Sequence, residues 1–324
     1  MISFAVGAPD PALLPGELVA ALAADVVAEH GMSVLQYGAT RGFPPLLDQA
    51  QILLRERAIT GAAGRTHIAT GGSGALHSAC MALLEPGSVV LAETPTYGPA
   101  VKVFRSHGAV VYGVESDADG ILPEALAATL ARQRVAMVYL LPTFQNPTGR
   151  TMPTARREQI AEVVLRHGVT VVEDDVYADL RYQGDPLPAF WSFAPHSTVY
   201  ITSLSKTVAP ALRTGIAVLP EYLLEQVLAM KQGIDMQTST FNQAIAAGFL
   251  RSAAGAAHVA RVVENYGAKL AALTAALRRH MPSGFSWTEP EGGMFVWVEG
   301  PAAVRWRPTS PVKDSMPVRI RCHG

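Results

Sequence analysis

Residues 203–215 read Ser-Leu-Ser-Lys-Thr-Val-Ala-Pro-Ala-Leu-Arg-Thr-Gly and directly follow the apolar run Thr198-Val199-Tyr200-Ile201. The pattern predicts a buried strand that ends in a loop carrying Lys206. An amine held in such a dry position has a lowered pKa and can attack a carbonyl carbon to form a Schiff base. Two hydroxyls and a guanidinium fork suit a phosphate group, and the stretch supplies them as Ser203, Ser205 and Arg213. The simpler reading is a lysine beside a surface loop.

The composition excludes several kinds of partner. The chain has 324 residues, of which 49% are hydrophobic and 16% charged, so it can bury a large core and suits one large domain with a smaller appendage. A formal net charge of −1 gives no basic surface for a nucleic acid backbone. The histidines are scattered without ligand spacing, so no metal site is expected. Cys80 and Cys322 are too far apart in sequence to indicate a disulfide framework.

The sequence also predicts a cytoplasmic protein without a membrane partner. No apolar run is expected to approach the roughly 20 residues that span a bilayer. The N-terminus lacks a basic stretch followed by an apolar signal core.

A glycine-rich turn lies early in the chain. Residues 68–76, Ile-Ala-Thr-Gly-Gly-Ser-Gly-Ala-Leu, predict a short strand, a turn and the start of a helix. Glycines let a backbone approach an anion, and the free N–H groups at a helix start favour phosphate. Such a turn also occurs in strand–helix connections that bind nothing.

Two further apolar runs end in polar groups. The run 135–141 leads into Asn146-Pro147-Thr148-Gly149, and the run 170–172 leads into Glu173, Asp174 and Asp175. Ordinary turn chemistry could account for the first, while clustered acids often cap a helix or bind a metal. Strands alternate with helices from about residue 65 to 220. This alternation predicts a mainly parallel sheet covered by helices, with its loops at the carboxyl ends of the strands.

These segments together resemble the fold-type I aminotransferases of class I/II. The resemblance is carried by the lysine segment 203–215, the Asn-Pro-Thr-Gly of residues 146–149, the Asp-x-x-Tyr of residues 174–177 and the Glu-Gly-Gly-Met-Phe of residues 291–295. It implies an α/β fold with a large domain and a second, smaller α/β domain. The resemblance also implies pyridoxal 5′-phosphate as the cofactor.

The family's pattern implies roles for individual residues around the cofactor ring. Lys206 would bind the cofactor and move a proton, and Asp174 would face the ring nitrogen. Asn146 and Tyr177 would contact the ring oxygen, and Asn146 the substrate as well. Tyr97 would stack on the ring, although it could also cap the core.

Other positions would bind the cofactor's phosphate and the substrate. The resemblance implies a phosphate site of Gly72, Ser73, Ser203, Ser205 and Arg213. It also implies that Gly7 lies beside the substrate and that Tyr37 reaches the phosphate of a neighbouring subunit, which requires a homodimer. Without the resemblance, Tyr37 would read as a surface anchor.

The resemblance predicts three segments. Residues 1–30 contribute to the small domain, 31–250 form the large cofactor domain and 251–324 form a small domain that is incomplete relative to the family. The motifs run from Gly7 to Val298 and stop after Gly300. The family's final arginine, which clamps the substrate carboxylate, is therefore not assigned to any residue here.

The predicted function is transfer of an amino group from an amino acid to a 2-oxo acid through a Schiff base on Lys206. The subgroup it resembles includes 2-aminoadipate aminotransferases and the effector domains of MocR regulators. Three alternatives stay open at this stage. The site could run decarboxylation, elimination or oxidation. The protein could be a non-catalytic sensor that only binds the cofactor. It could also be a degenerate gene product.

Overall fold

The computed structural model describes residues 7–301. Within this range the strands are β1 (Thr66–Thr70), β2 (Val89–Glu93), β3 (Val110–Val114), β4 (Ser116–Asp117), β5 (Gly120–Ile121), β6 (Met137–Leu140), β7 (Thr170–Asp174), β8 (Thr198–Ser203), β9 (Thr214–Val218), β10 (Ser286–Trp287) and β11 (Val298–Glu299). The helices are α1 (Gly16–His30), α2 (Pro44–Glu56), α3 (Gly71–Leu83), α4 (Gly98–Ser106), α5 (Pro123–Leu130), α6 (Thr154–His167), α7 (Glu221–Asp235), α8 (Thr240–Arg251) and α9 (Ala253–His280).

The main sheet has seven strands in the order β1-β9-β8-β7-β6-β2-β3. The pairs from β8 through β7, β6 and β2 to β3 are parallel, whereas β9 runs antiparallel to both of its neighbours. The predicted fold class, a mainly parallel mixed sheet covered by helices, is therefore confirmed. All the parallel strands end at the same edge of the sheet.

Both faces of the sheet are buried, which explains the near-continuous apolar runs in the sequence. Every residue of β7 and β8 is buried. Successive side chains of β8 point to opposite faces, so Tyr200 packs in the core beneath α2 and α8, while Val199 and Ile201 pack beneath α3. Helices α5 and α6 cover the sheet beside β6.

Helix α1 corrects one expectation from the sequence. Gly16–Leu35, which includes the short 3-10 helix after α1, is long and apolar enough by length and composition to cross a bilayer, with a mean hydropathy of 1.5. The expectation that no apolar run approaches this length was wrong. In the structure one face of α1 packs on the core through Leu18, Val19 and Leu22, and Leu22 contacts Gly248 of α8. Only 11% of the apolar window is buried.

The two parts of the N-terminal segment contact different helices. The backbone N–H of Asp10 donates to the Tyr266 hydroxyl of α9 at 2.9 Å, whereas α1 packs against α8. The division at residues 30 and 250 stays a prediction. A short antiparallel hairpin is formed by β10 and β11. Its pairs are Ser286 with Glu299 and Trp287 with Val298.

A buried ion network joins α2 to the sheet. Arg57, which follows α2 and is buried, donates from Nη2 to Asp179 Oδ1 at 2.6 Å and from Nη1 to Thr202 Oγ1 at 2.8 Å. Its Nη1 also contacts the Tyr200 hydroxyl, which donates to Asp175 Oδ2 at 2.8 Å. Burial raises the pKa of Asp175, while the Arg57 charge opposes that rise. Asp175 thus has a structural part in this network.

We expect Arg57→Leu to lower the free energy of unfolding by about 3 kcal/mol, because the change leaves buried carboxylates without their counter-charge. Urea unfolding followed by circular dichroism measures this loss. Arg55→Leu, on the exposed side of α2, is the matched control and should change stability little. Equal losses of unfolding free energy in the two variants would contradict the proposed contribution of the network to stability.

Candidate active site

The predicted site residues follow five strands that end at one edge of the sheet. Gly72 and Ser73 follow β1, Tyr97 follows β2 and Asn146 follows β6. Asp174 is the last residue of β7, and Ser203, Ser205 and Lys206 end or follow β8. Arg213 precedes β9, whose reversed direction brings its amino end to this same edge. Residues more than 100 positions apart in the sequence are thus brought to one edge of the sheet.

Lys206 lies in the centre of this edge. Its Nζ donates to the backbone carbonyl of Gly7 at 2.8 Å and lies 5.8 Å from the centroid of the Tyr177 ring. Burial lowers the pKa of Lys206, and the nearby Asp174 charge partly opposes this. A neutral amine, the form needed for attack on a carbonyl carbon, is therefore favoured relative to an exposed lysine.

Asp174 is buried and only half satisfied. Its Oδ2 accepts a hydrogen bond from the Tyr139 hydroxyl at 2.6 Å, but Oδ1 has no partner among residues 7–301. Burial raises the pKa of Asp174 to about 6, against the lowering effect of the Tyr139 hydrogen bond. An unpaired buried carboxylate oxygen is costly, so this atom suits a cationic N–H donor.

Three more predicted residues surround the space beside Asp174. The Asn146 side-chain amide donates to the Tyr177 hydroxyl at 3.3 Å, so both groups converge on one point, as their shared predicted role requires. Tyr97 is half-buried, and both burial and the Asp174 charge raise its pKa. The Phe295 ring meets Tyr177 edge to face, with centroids 5.8 Å apart.

The glycine-rich turn forms a cup at the start of α3. Gly71 has φ of 73°, and a Cβ atom there would lie 2.5 Å from Arg213 Nη2. Arg213 itself has a left-handed backbone with φ of 48°. No side chain of the described residues caps α3, so its first N–H groups are free to meet an anion. Gly215 of β9 allows close approach, because a Cβ there would lie 2.6 Å from the carbonyl carbon of Gly71.

A second pair of residues ties the loops together. Glu93 Oε2 accepts from the backbone N–H of Leu141 at 2.9 Å. Gln145 Nε2 donates to the Pro95 carbonyl at 2.6 Å, and Gln145 Oε1 accepts from the Thr148 N–H at 2.8 Å. The loop that carries Tyr97 is thereby joined to the loop that carries Asn146.

Sequence reasoning missed Tyr139, Glu93 and Gln145. A hydroxyl within the otherwise apolar β6 was the available signal for Tyr139. Nothing in the sequence indicated the pairing of Glu93 with Leu141, since the two are far apart in the chain.

Tyr37 lies apart from this cluster. Its side chain is 74% exposed, and its hydroxyl has no hydrogen-bond partner in the described range. The structure therefore does not bring Tyr37 to the Lys206 site of its own chain. The C-terminal segment, in which no carboxylate-binding arginine was assigned, lies outside the described residues.

Comparison with known proteins identifies the family of this chain. The profile of the aminotransferase class I and II family matches residues 1–314, beyond Gly300, where the motifs end. The chain belongs to this family. It is 35% identical to the 2-aminoadipate transaminase of Thermus thermophilus over 93% of this chain and 75% of that protein. It is 33% identical to aromatic-amino-acid aminotransferase 1 of Thermococcus litoralis, over 94% of this chain and 75% of that protein.

A solved structure matches the fold closely. The alpha-aminoadipate aminotransferase LysN from Thermus thermophilus, complexed with N-(5′-phosphopyridoxyl)-L-leucine, superposes with a TM-score of 0.87. The two chains are 34% identical, and the match covers 94% of this chain and 77% of that one. Together the matches show a pyridoxal-phosphate-dependent aminotransferase that acts on an amino acid and a 2-oxo acid.

The residues at the strand ends fit this cofactor. The unpartnered Asp174 Oδ1 suits the N–H of a protonated pyridine ring. The uncapped start of α3 and the Arg213 guanidinium suit a phosphate group. The Lys206 amine, with its lowered pKa, suits a carbonyl carbon.

We expect Glu93→Gln to flatten the pH dependence of stability in the cofactor-free protein. Burial raises the pKa of Glu93 from 4.5 to about 8, so the folded protein keeps a proton there that the unfolded chain has lost. Stability from this group is present below pH 4.5 and is lost as the pH rises towards 8. The slope is at most about 1.4 kcal/mol per pH unit.

Urea unfolding at intervals from about pH 5 to about pH 8 measures this slope. Glu124→Gln, at an exposed position in the first turn of α5, should keep the wild-type slope. A Glu93→Gln protein with an unchanged slope would show that Glu93 is ionised in the folded state.

Proposed function

We propose that Lys206 is the amine that holds pyridoxal phosphate and moves the proton during amino-group transfer. The observation that carries this proposal is the position of Lys206 beside the buried, half-satisfied Asp174. A lowered lysine pKa and an unpaired buried carboxylate oxygen rarely meet without a functional reason.

Each ring contact is assigned to a described side chain. Asp174 Oδ1 would accept the hydrogen bond of the pyridine N–H, and Tyr139 keeps the carboxyl group oriented through its 2.6 Å bond to Oδ2. Asn146 and Tyr177 would donate to the ring oxygen. Tyr97 would lie against the ring face. The phosphate would be bound by Gly72, Ser73, Ser203, Ser205 and Arg213.

The bound cofactor supplies an electron sink that acidifies the α-carbon of the amino acid. Once the amino group of the substrate has displaced it from the cofactor, Lys206 Nζ would act as the base that takes the α-proton. Its lowered pKa keeps a neutral fraction available for this transfer. The Gly7 carbonyl and the Tyr177 ring lie next to the amine, and the Phe295 ring packs against Tyr177. This packing limits the access of water. We propose that Gly7 also contacts the substrate, as does Asn146.

We expect Lys206→Ala to lose both covalent capture of the cofactor and catalysis. Borohydride reduction of the wild-type protein with pyridoxal phosphate should fix the cofactor on the peptide that contains Lys206, as read by mass spectrometry. Conversion of 2-aminoadipate or glutamate to its 2-oxo acid should fall by about 100- to 10,000-fold in the variant. Lys102→Ala serves as the control, and attachment to Lys102 or Lys231 in the wild type would refute the assignment.

We further propose a homodimer in which Tyr37 completes the partner's phosphate site. Large apolar side chains are exposed next to Tyr37, including Met32 at 75% and Leu35 at 58%. The outer face of α1 adds to this surface. Exposed apolar surface of this kind marks a contact, and a two-fold pair is the commonest closed assembly.

We assign this surface to a second copy of the chain, in a cytoplasmic enzyme without a membrane or nucleic acid partner. The net charge of −1 supports the exclusion of nucleic acid.

Subunit complementation tests the exchange of Tyr37 between subunits. We expect Tyr37→Ala homodimers to bind the cofactor more weakly and Lys206→Ala homodimers to be inactive. Mixed dimers of the two variants should regain activity, because one of their two sites combines an intact Lys206 with an intact Tyr37 from the other chain.

Chains that carry both changes are the control. In mixed dimers with wild-type chains, the one intact Lys206 should bind the cofactor as weakly as in Tyr37→Ala homodimers, because residue 37 of the other chain is altered. Absence of recovery in the first mixture, with mixed dimers present by mass spectrometry, would place Tyr37 in its own subunit's site.

A further inference from the structure

A buried lysine lies behind the phosphate cup. Lys231 of α7 has only 2% of its side chain exposed, and its Nζ uses all three donor positions. It donates to Asp235 Oδ1 at 2.7 Å, to Asp235 Oδ2 at 2.9 Å and to Thr238 Oγ1 at 3.1 Å. Lysine is almost never fully buried unless it is paired, so this position requires its partners.

The carboxylate of this pair reaches the cup directly. Asp235 Oδ2 accepts a hydrogen bond from Thr70 Oγ1 at 2.5 Å. Thr70 ends β1 and stands immediately before Gly71, at the start of α3. The Thr70 carbonyl lies 3.4 Å from Arg213 Nη2. Asp235 therefore fixes Thr70. Thr70 immediately precedes the free N–H groups of α3, and its carbonyl contacts the Arg213 guanidinium.

The connection between α7 and α8 reaches the loop that carries Tyr37. The Gln237 side-chain oxygen accepts from the backbone N–H of Gly38, the residue after Tyr37. Gln243 donates from Nε2 to the Thr238 carbonyl at 2.6 Å and accepts from the Phe43 N–H at 2.7 Å. Both ends of this loop are thus tied to residues that adjoin the Lys231–Asp235 pair.

The charge balance of this region depends on Asp235. His67 of β1 is also buried there, and its two ring nitrogens have no hydrogen-bond partner in the described range. Burial, with the Lys231 and Arg41 charges, lowers the pKa of His67 to about 3, so the ring is neutral. Within residues 7–301, Asp235 is the carboxylate paired with Lys231.

We propose that the Lys231–Asp235 pair is a positioning pair for phosphate recognition. It fixes Thr70, and with it the cup of its own chain, and it steadies the loop that presents Tyr37 to the partner's phosphate. Neither side chain is among the residues assigned to the cofactor. This inference rests on the proposed function, because it takes the start of α3 and Arg213 as the phosphate site.

The pair should affect binding of the cofactor's phosphate group and not binding of its ring. Titration of cofactor-free protein with pyridoxal phosphate and with pyridoxal, which lacks the phosphate, separates the two by visible absorbance. For Asp235→Asn we expect the affinity for pyridoxal phosphate to fall about 10- to 100-fold, the effect of weakening hydrogen bonds to a charged group. The affinity for pyridoxal should change less than about threefold.

Three variants control for general damage. Thr70→Val removes only the hydroxyl that Asp235 binds and should show the same selective loss, while Thr70→Ser keeps the hydroxyl and should restore wild-type affinity. These variants decide the question if Asp235→Asn fails to fold. Asp117→Asn breaks the ion pair with Arg156 at the β4–β5 turn, outside the cup, and should leave both affinities unchanged.

Equal loss of affinity for both compounds in Thr70→Val, or no loss for either, would overturn the inference. The proposed function fails in a distinguishable way. If Lys206 does not hold the cofactor, the Lys206→Ala variant keeps the wild-type absorbance with both compounds. If only the positioning pair is misassigned, wild-type binding stays intact and the Thr70 variants show no selectivity for the phosphate.

Discussion

The parallel pairing of β6, β7 and β8 is the constraint on which the rest of this molecule depends. Parallel strands end at one edge of a sheet, so polar groups placed at their ends meet there even when they are distant in sequence. Burial of both faces of these strands then makes the edge dry. Burial lowers the pKa of Lys206 and raises that of Asp174, and the proposed acid–base chemistry would use these opposite shifts.

Much of this arrangement was predictable because it is local. Each predicted residue stands a few positions after an apolar run, and Asp174, Asn146 and Lys206 could be placed at strand ends without knowledge of the strand order. The antiparallel β9 was not predicted, nor were the contacts between loops, such as Gln145 with Pro95. These depend on tertiary distances that no periodicity records. The length of the apolar segment at α1 was misjudged, because polar residues on one face interrupt it.

Three buried carboxyls show how differently the fold treats similar groups. Burial raises the pKa of Glu93, of Glu173 and of Asp174. Glu173 accepts from two backbone N–H groups, at 2.7 and 2.8 Å, and Glu93 accepts from one at 2.9 Å. Glu173 and Glu93 thus each join their own strand end to a distant segment of backbone. Asp174 instead keeps one oxygen without a partner in the described range, so the fold reserves its capacity for an incoming group.

That unpartnered oxygen bears on the fate of newly made chains. A folded molecule without its cofactor retains a buried polar atom that nothing in the described chain satisfies, which weakens the native state. A ligand that binds only the native state stabilises it in proportion to the logarithm of its concentration. The number of intact molecules in a cell would then follow the supply of cofactor, since chains that wait too long unloaded are exposed to proteolysis.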